Sequence, residues 1–340
     1  MSTEPLSGAL ALPIANSAFA QELRSHLETV EGKLQEAVAQ ADALADDASR
    51  HLVSAGGKRL RPLLTLLAAE LGAGVNEDVL AAATVVELTH LATLYHDDVM
   101  DSAPVRRGAP SAHEVWGNSV AILTGDLLFA RASRIVAQLG PEAVLLQAET
   151  FERLCLGQLR ESVGPTGDED PIDHYLGVLA DKTGSLIATS ARFGALFANA
   201  AAEHIAALVR FGEKIGVAFQ LADDVIDLAS DGETTGKTPG TDLRERVPTM
   251  PVLLLEAAGR KTDCDAQTRD VLALLEADLD DDAALAAAIT ALRAHPALEE
   301  ARLIARQWAQ DAISELDALP AGEVRDALTT FAGALVDRTA

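Results

Sequence analysis

Residues 77–103, EDVLAAATVVELTHLATLYHDDVMDSA, decide how this chain is read. From Val79 to Tyr95 the run is built on Ala, Leu and Val and is apolar on most faces, interrupted by Glu87 and His90. A helix of that kind belongs in the middle of a bundle, with other helices packed around it. It ends abruptly in carboxylates, Asp97, Asp98 and Asp101.

Working outward, a second mostly apolar helix covers 203–229 and ends the same way, in FQLADDVIDLA with Asp223, Asp224 and Asp227. Leu23, Leu27, Val30, Leu34 and Val38 recur every three or four residues, the stripe of an amphipathic helix. Similar stripes fall at 58–72, 118–139, 141–162, 172–200 and 249–259. Shorter Ala-rich helices follow from residue 265, broken at His295–Pro296 and Leu319–Pro320. Strand signals are nearly absent, so the expected fold is all-α, a single large helical bundle. No repeat, linker or domain boundary stands out. Residues 1–340 read as one domain, with 1–17 a flexible lead and 260–340 its C-terminal helices. The turn-rich stretches Asp101–Pro110 and Ser230–Pro248 directly follow the two central helices and are long enough to be binding loops.

The chain has 340 residues, 49% of them hydrophobic, which is ample for a large core. Its 27 bases against 52 acids give a net charge of −25. Such a charge repels nucleic acid and anionic lipid, because phosphate binding draws on clustered cations. Two cysteines, Cys155 and Cys264, make no disulfide framework; they read as buried thiols in a reducing, cytoplasmic compartment. No stretch reaches the ~20 uncharged apolar residues of a membrane span. The apolar patch Ala9–Ala20 lacks the basic start of a secretory signal.

The two acidic segments share the pattern Asp-Asp-x-x-Asp. On a helix the first and fifth positions share a face, while the second is turned by about 100°. Like charges so placed repel, and carboxylates at a helix C-terminus oppose its dipole. Hard divalent cations remove both penalties; Mg²⁺ favours one or two carboxylates together with phosphate oxygens and water. The bland alternative, a solvated acidic face, does not explain why both patterns interrupt apolar runs. Gly56-Gly57-Lys58-Arg59-Leu60-Arg61-Pro62 places cations at a helix start, where unpaired N–H groups already favour anions. His90 lies seven residues before Asp97, on nearly the same face. Arg106, Arg107, Lys182, Thr183, Gln220 and Lys237 complete the polar set, each an ordinary surface or capping residue if taken alone. Carboxylates on two walls, an anion site and an apolar interior fit a diphosphate ester with a greasy tail. A nucleotide fits poorly, since no phosphate-cradling Gly-rich strand–helix turn is present.

These motifs, in this order and over nearly the whole length, resemble the trans-isoprenyl diphosphate synthases (polyprenyl synthetase family). The resemblance implies an all-α fold around a deep central cavity, usually in homodimers, with three Mg²⁺ ions per site. It implies Asp97, Asp101 and Asp223 as direct metal ligands, with Asp98, Asp224 and Asp227 as ligands or their partners. Arg106, Lys182 and Lys237 would hold the allylic diphosphate. Lys58, Arg61, His90 and Arg107 would hold isopentenyl diphosphate, and Thr183 and Gln220 would lie beside the allylic cation. The family often has a second Gly-Lys pair after the second motif; here Arg246-Val247 stands there, leaving Arg244 or Arg246 as substitutes. The implied reaction ionises the allylic C–O bond, adds isopentenyl diphosphate to the cation and loses a proton, lengthening the chain by five carbons. Ala92 and Thr93 stand where bulky aromatics stop growth in short-chain relatives, which implies a C20 or longer product; Phe129 reads first as a core residue and otherwise as a deeper floor. The rivals are a class I terpene cyclase, which needs no second diphosphate site, and a non-catalytic regulatory subunit.

Overall fold

The computed structural model describes residues 16–229 and 239–336. Residues 1–15 of the expected flexible lead, and Lys237, lie outside the described residues. Asn16 already caps the first helix, α1 (Ser17–Val38), its Oδ1 accepting the amides of Ala18 and Phe19 at 3.0 and 3.3 Å.

By their contacts the residues group into two units. The first comprises the chain through Arg153, Leu186–Gly212 and Leu316–Thr330. The predicted stripe of α1 is its inner face: Leu23, Leu27, Val30, Leu34 and Val38 are all buried. Then come α2 (Ala43–Ser54), α3 (Leu60–Ala69) and α4 (Glu77–Met100). Asn76 caps α4 by accepting the Val79 amide at 2.9 Å, and Glu77 and Asp78 favour its positive end. Consecutive residues Val85, Val86, Glu87, Leu88 and Thr89 are all buried, so α4 is covered all round, as the central helix must be. It packs against α1, α3 and α6 (Asn118–Val136), and α5 (Ala112–Trp116) touches both α4 and α6. Among the described residues α4 alone has the length and composition of a membrane span, and 72% of that window is buried inside the protein. Truncating a fully buried side chain here, Leu88 or Leu91, costs about 2–5 kcal/mol.

The second unit comprises Leu154–Ser185, Glu213–Glu315 and the chain from Phe331. Unit boundaries fall within α7 (Pro141–Val163) and α10 (Ala202–Ala229), and also within the helices Ser185–Phe197 and Glu323–Val336. It holds α8 (Pro171–Leu179), α11 (Thr241–Arg244), α12 (Met250–Gly259), α13 (Ala266–Leu275), α14 (Asp282–Arg293) and α15 (Pro296–Glu315). Their shared core includes Leu179, Leu221, Val225, Leu255, Val271 and Leu292. Helices α9 (Ser185–Phe197) and α16 (Glu323–Val336) complete the chain.

The structure corrects three expectations. The stripe at 172–200 is not one regular helix: a π-helical turn, Ala180–Gly184, separates α8 from α9. The loop after α4 contains a hairpin, β1 (Val105–Arg106) paired with β2 (Ala109–Pro110). Its two turn residues, Arg107 and Gly108, have φ of 54° and 78°, the positive pair that a tight hairpin requires. The cysteines are not both buried thiols: Cys155 is exposed and Cys264 partly so. Cys155 sits on the outer side of α7 with exposed Leu156 and Leu159.

Candidate active site

In the first unit, the end of α4 presents its acids as the spacing predicts. Asp97 is partly exposed and Asp101, the C-cap residue, is exposed; Asp98 is turned inward and is 0% exposed. The hairpin brings Arg106 to it, donating Nε–H to Asp98 Oδ1 at 2.6 Å. Burial raises the Asp98 carboxyl against the pull of that guanidinium. Its Oδ2 is buried with no hydrogen-bond partner among the described residues.

A cationic cluster lies beside this helix. Gly57, at φ 146°, lies against the Arg107 guanidinium: a Cβ there would stand 2.9 Å from its central carbon. Arg107 donates to the carbonyls of Leu52, at 3.0 Å, and Gly56. Arg59 adopts φ 50° and turns into the protein, bonding Glu31 at 2.8 Å and Glu87 at 2.9 Å. The basic motif therefore splits: Arg59, which sequence reading counted among the cations of an anion-favouring helix start, is a buried brace, while Lys58 is exposed. Arg61 is partly buried, its Nε has no partner among the described residues, and burial brings its guanidinium down to about 10. His90 belongs to the same cluster. Burial, then Arg61, Arg107, Arg106 and Arg59, hold it well below the usual histidine range, so it is neutral at pH 7. Arg59 and Arg107 share Glu87, at 2.9 and 3.8 Å, so the guanidinium groups of Arg59, Arg61 and Arg107 outnumber the carboxylates of Glu31 and Glu87. That imbalance and the unpartnered Arg61 Nε–H favour an anion.

Along α4, Ala92 is fully buried and Thr93 partly so, its hydroxyl spent on the His90 carbonyl at 2.8 Å. Phe129 stacks on Phe151 with ring centroids 3.8 Å apart, a partner that sequence reading did not foresee.

In the second unit, the end of α10 repeats the arrangement. Asp223 and Asp227 are partly exposed, whereas Asp224 is only 6% exposed. Asp224 Oδ2 accepts from the Tyr175 hydroxyl at 2.7 Å and from the Met250 amide at 3.2 Å. Asp227 accepts the Asp242 amide at 3.4 Å, and Gln220 is partly buried one turn before Asp224. Lys182 and Thr183 stand in the π turn; Thr183 is buried and Lys182 pairs with Glu161. Both arginines of the following loop, which sequence reading offered in place of the second lysine, are engaged within the protein. Arg244 pairs with Asp282 at 2.6 Å. Arg246 donates to the carbonyls of Leu275, the last residue of α13, and Ala277, at 3.5 and 2.9 Å. Carbonyls at a helix C-terminus attract a guanidinium without needing an anion.

Sequence reading named Glu87 and Arg59 without their pairing, and missed Glu161 and Tyr175 altogether. A signal for the last was available: the chain has only two tyrosines. Both hydroxyls are spent inside the protein, Tyr175 on Asp224 and Tyr95 on the Ala48 carbonyl at 2.5 Å.

Among the described residues no three His, Cys, Asp or Glu side chains converge on one point as a complete metal cage. Each acidic segment instead offers oxygen ligands at positions one and five of its motif. That donor set fits a hard cation whose other ligands are water and the phosphate oxygens of a substrate.

Residues 42–292 match the family described as polyprenyl synthetase. The chain is 46% identical over 337 residues to the nonaprenyl diphosphate synthase of Mycobacterium tuberculosis, covering 98% of each chain. It is 35% identical to the heptaprenyl diphosphate synthase component 2 of Geobacillus stearothermophilus, over 91% of this chain and 95% of that one. A crystal structure of geranylgeranyl pyrophosphate synthase from Corynebacterium glutamicum, complexed with calcium and isoprenyl diphosphate, superposes with a TM-score of 0.85. It shares 42% identity, over 96% of this chain and 99% of that one. The expected family and all-α fold are thereby met, and this chain belongs to the polyprenyl synthetase family.

Proposed function

We propose that the chain, a prenyltransferase by its family, condenses isopentenyl diphosphate with an allylic diphosphate to give an all-trans polyprenyl diphosphate of C20 or longer. The observation that carries the reading is the half-buried cluster of Arg61, His90 and Arg107 with exposed Lys58 in a chain of net charge −25. It is a second anion site, suited to the diphosphate of isopentenyl diphosphate. A terpene cyclase has no use for it, and the relatives are named as chain-elongating synthases rather than cyclases or regulators.

Asp97, Asp101 and Asp223 would hold magnesium, three ions by family resemblance, with Asp98, Asp224 and Asp227 supporting them. Bound magnesium supplies the positive charge that a leaving diphosphate requires. Arg106, Lys182 and Lys237 bind the allylic diphosphate and stabilise the charge that develops on it. Thr183 and Gln220 turn their oxygen dipoles toward the allylic carbon. Lys58, Arg61, His90 and Arg107 orient the second diphosphate so that its double bond reaches that carbon. The departing diphosphate takes the final proton, so no protein base is assigned. The small residues Ala92 and Thr93 leave room for the growing tail, with Phe129 further along.

We also propose a homodimer in a reducing, cytoplasmic compartment. Support for the dimer comes from the apolar residues exposed on α6 and α7, among them Leu123 at 65% and Val163 at 70%, which a second copy would cover. Sedimentation of the isolated chain at twice its 35.6 kDa mass is the expected result.

Incubation with an allylic diphosphate and Mg²⁺, with and without isopentenyl diphosphate, tests the reading. Elongated product should require the co-substrate, and Lys58→Ala should raise its KM about tenfold or more with the allylic KM little changed. A cyclic hydrocarbon formed without isopentenyl diphosphate would overturn it.

A further inference from the structure

We infer that Tyr175 is a positioning residue for the second acidic segment: with the Met250 amide it fixes Asp224 inward, so that Asp223 and Asp227 alone face a bound cation. The inference rests on the proposed metal-dependent prenyl transfer and deepens it.

Two donors from different elements, the hydroxyl on α8 at 2.7 Å and the first amide of α12 at 3.2 Å, converge on one oxygen, Asp224 Oδ2. A helix-start amide and a phenol are both well suited to a carboxylate. That single atom therefore ties α10 to α8 and α12, and only 6% of the residue is left exposed. The helix geometry supplies the consequence. Asp223 and Asp227 lie about 40° apart around α10, whereas Asp224 is turned by about 100° from Asp223. Pinning the middle acid sets the rotation of the helix end and keeps a third carboxyl group off the open face. The first unit uses the same device with different chemistry, Arg106 holding the buried Asp98 at 2.6 Å. In both segments the second aspartate is the inward one.

The test is Mn²⁺ binding to the full chain in the presence of inorganic pyrophosphate, followed by electron paramagnetic resonance. Tyr175→Phe keeps the ring and removes the donor. Its Mn²⁺ dissociation constant should rise about tenfold, while the KM for isopentenyl diphosphate stays within about twofold. Wild-type Mn²⁺ affinity in the variant overturns the inference alone. A wild-type chain that binds no Mn²⁺ overturns the reading of the site, and this inference with it. Asp224→Asn gives a second route should the first variant not fold, since an amide oxygen still serves both donors. It should lose at least about tenfold less Mn²⁺ affinity than Asp223→Asn. Equal losses would make Asp224 a ligand and overturn the inference.

Discussion

Burial and four neighbouring guanidinium groups keep the proton off His90, and this has a consequence for stability that can be measured. The folded pKa lies below the ordinary value of 6.5, so between the two the unfolded chain binds a proton that the folded chain does not. His90 thus contributes stability that is fully present above about pH 6.5 and is lost as the pH falls below it. The slope is at most ~1.4 kcal/mol per pH unit, one proton's worth. Urea midpoints of the wild type should fall between pH 6.5 and 5 more steeply than those of His90→Asn; parallel curves would contradict the burial argument. The isopentenyl diphosphate role proposed for His90 adds a second expectation at the same residue. An arriving anion offsets the surrounding cations, so pyrophosphate binding should take up a proton, seen as a binding enthalpy that changes with buffer ionisation.

At the scale of elements, the π turn is the least regular piece of the site and the most exposed to packing errors. A Cβ at Gly216 would stand 2.5 Å from the Gly184 Cα, so α10 and the turn carrying Lys182 and Thr183 touch through bare backbone. Gly216→Ala must move one of them. We expect a loss of about 1–3 kcal/mol and a larger fall in kcat than in affinity for isopentenyl diphosphate, read from melting curves and steady-state kinetics. Along α4, Ala92→Phe should shorten the product by at least one isoprene unit; an unchanged product on chromatography would remove Ala92 from the tail's path. The same elements show what was legible in the sequence. The stripe Leu23 to Val38 was readable because helical period and burial coincide there, and the placement of Asp98 and Asp224 followed from the 100° step. The hairpin at 105–110 was not, because two-residue strands are too short to show a period. Nor was the inward turn of Arg59, which needs a positive φ that no composition rule assigns to arginine. Tyr175 and Asp224 are 49 residues apart, and no local pattern joins them.

For the molecule as a whole, charge explains how the site is built. A chain at −25 repels diphosphates at long range, so the proposed binding relies on local devices: the Arg61, Arg107 and His90 cluster, and the cations that the carboxylates would gather. Product length belongs to this scale too, because relatives of similar fold are named for nonaprenyl, heptaprenyl and geranylgeranyl products. The small side chain at Ala92 supports the proposed product of C20 or longer. The most direct measurement follows isotope-labelled isopentenyl diphosphate into product by mass spectrometry, together with diphosphate release. Wild type, Asp97→Ala and Asp223→Ala are compared with and without Mg²⁺. The account predicts Mg²⁺-dependent C20 or longer product from the wild type and losses of about 10²-fold or more in both variants, with melting temperatures retained. Elongation that persists without divalent metal, or that survives both substitutions, would contradict it.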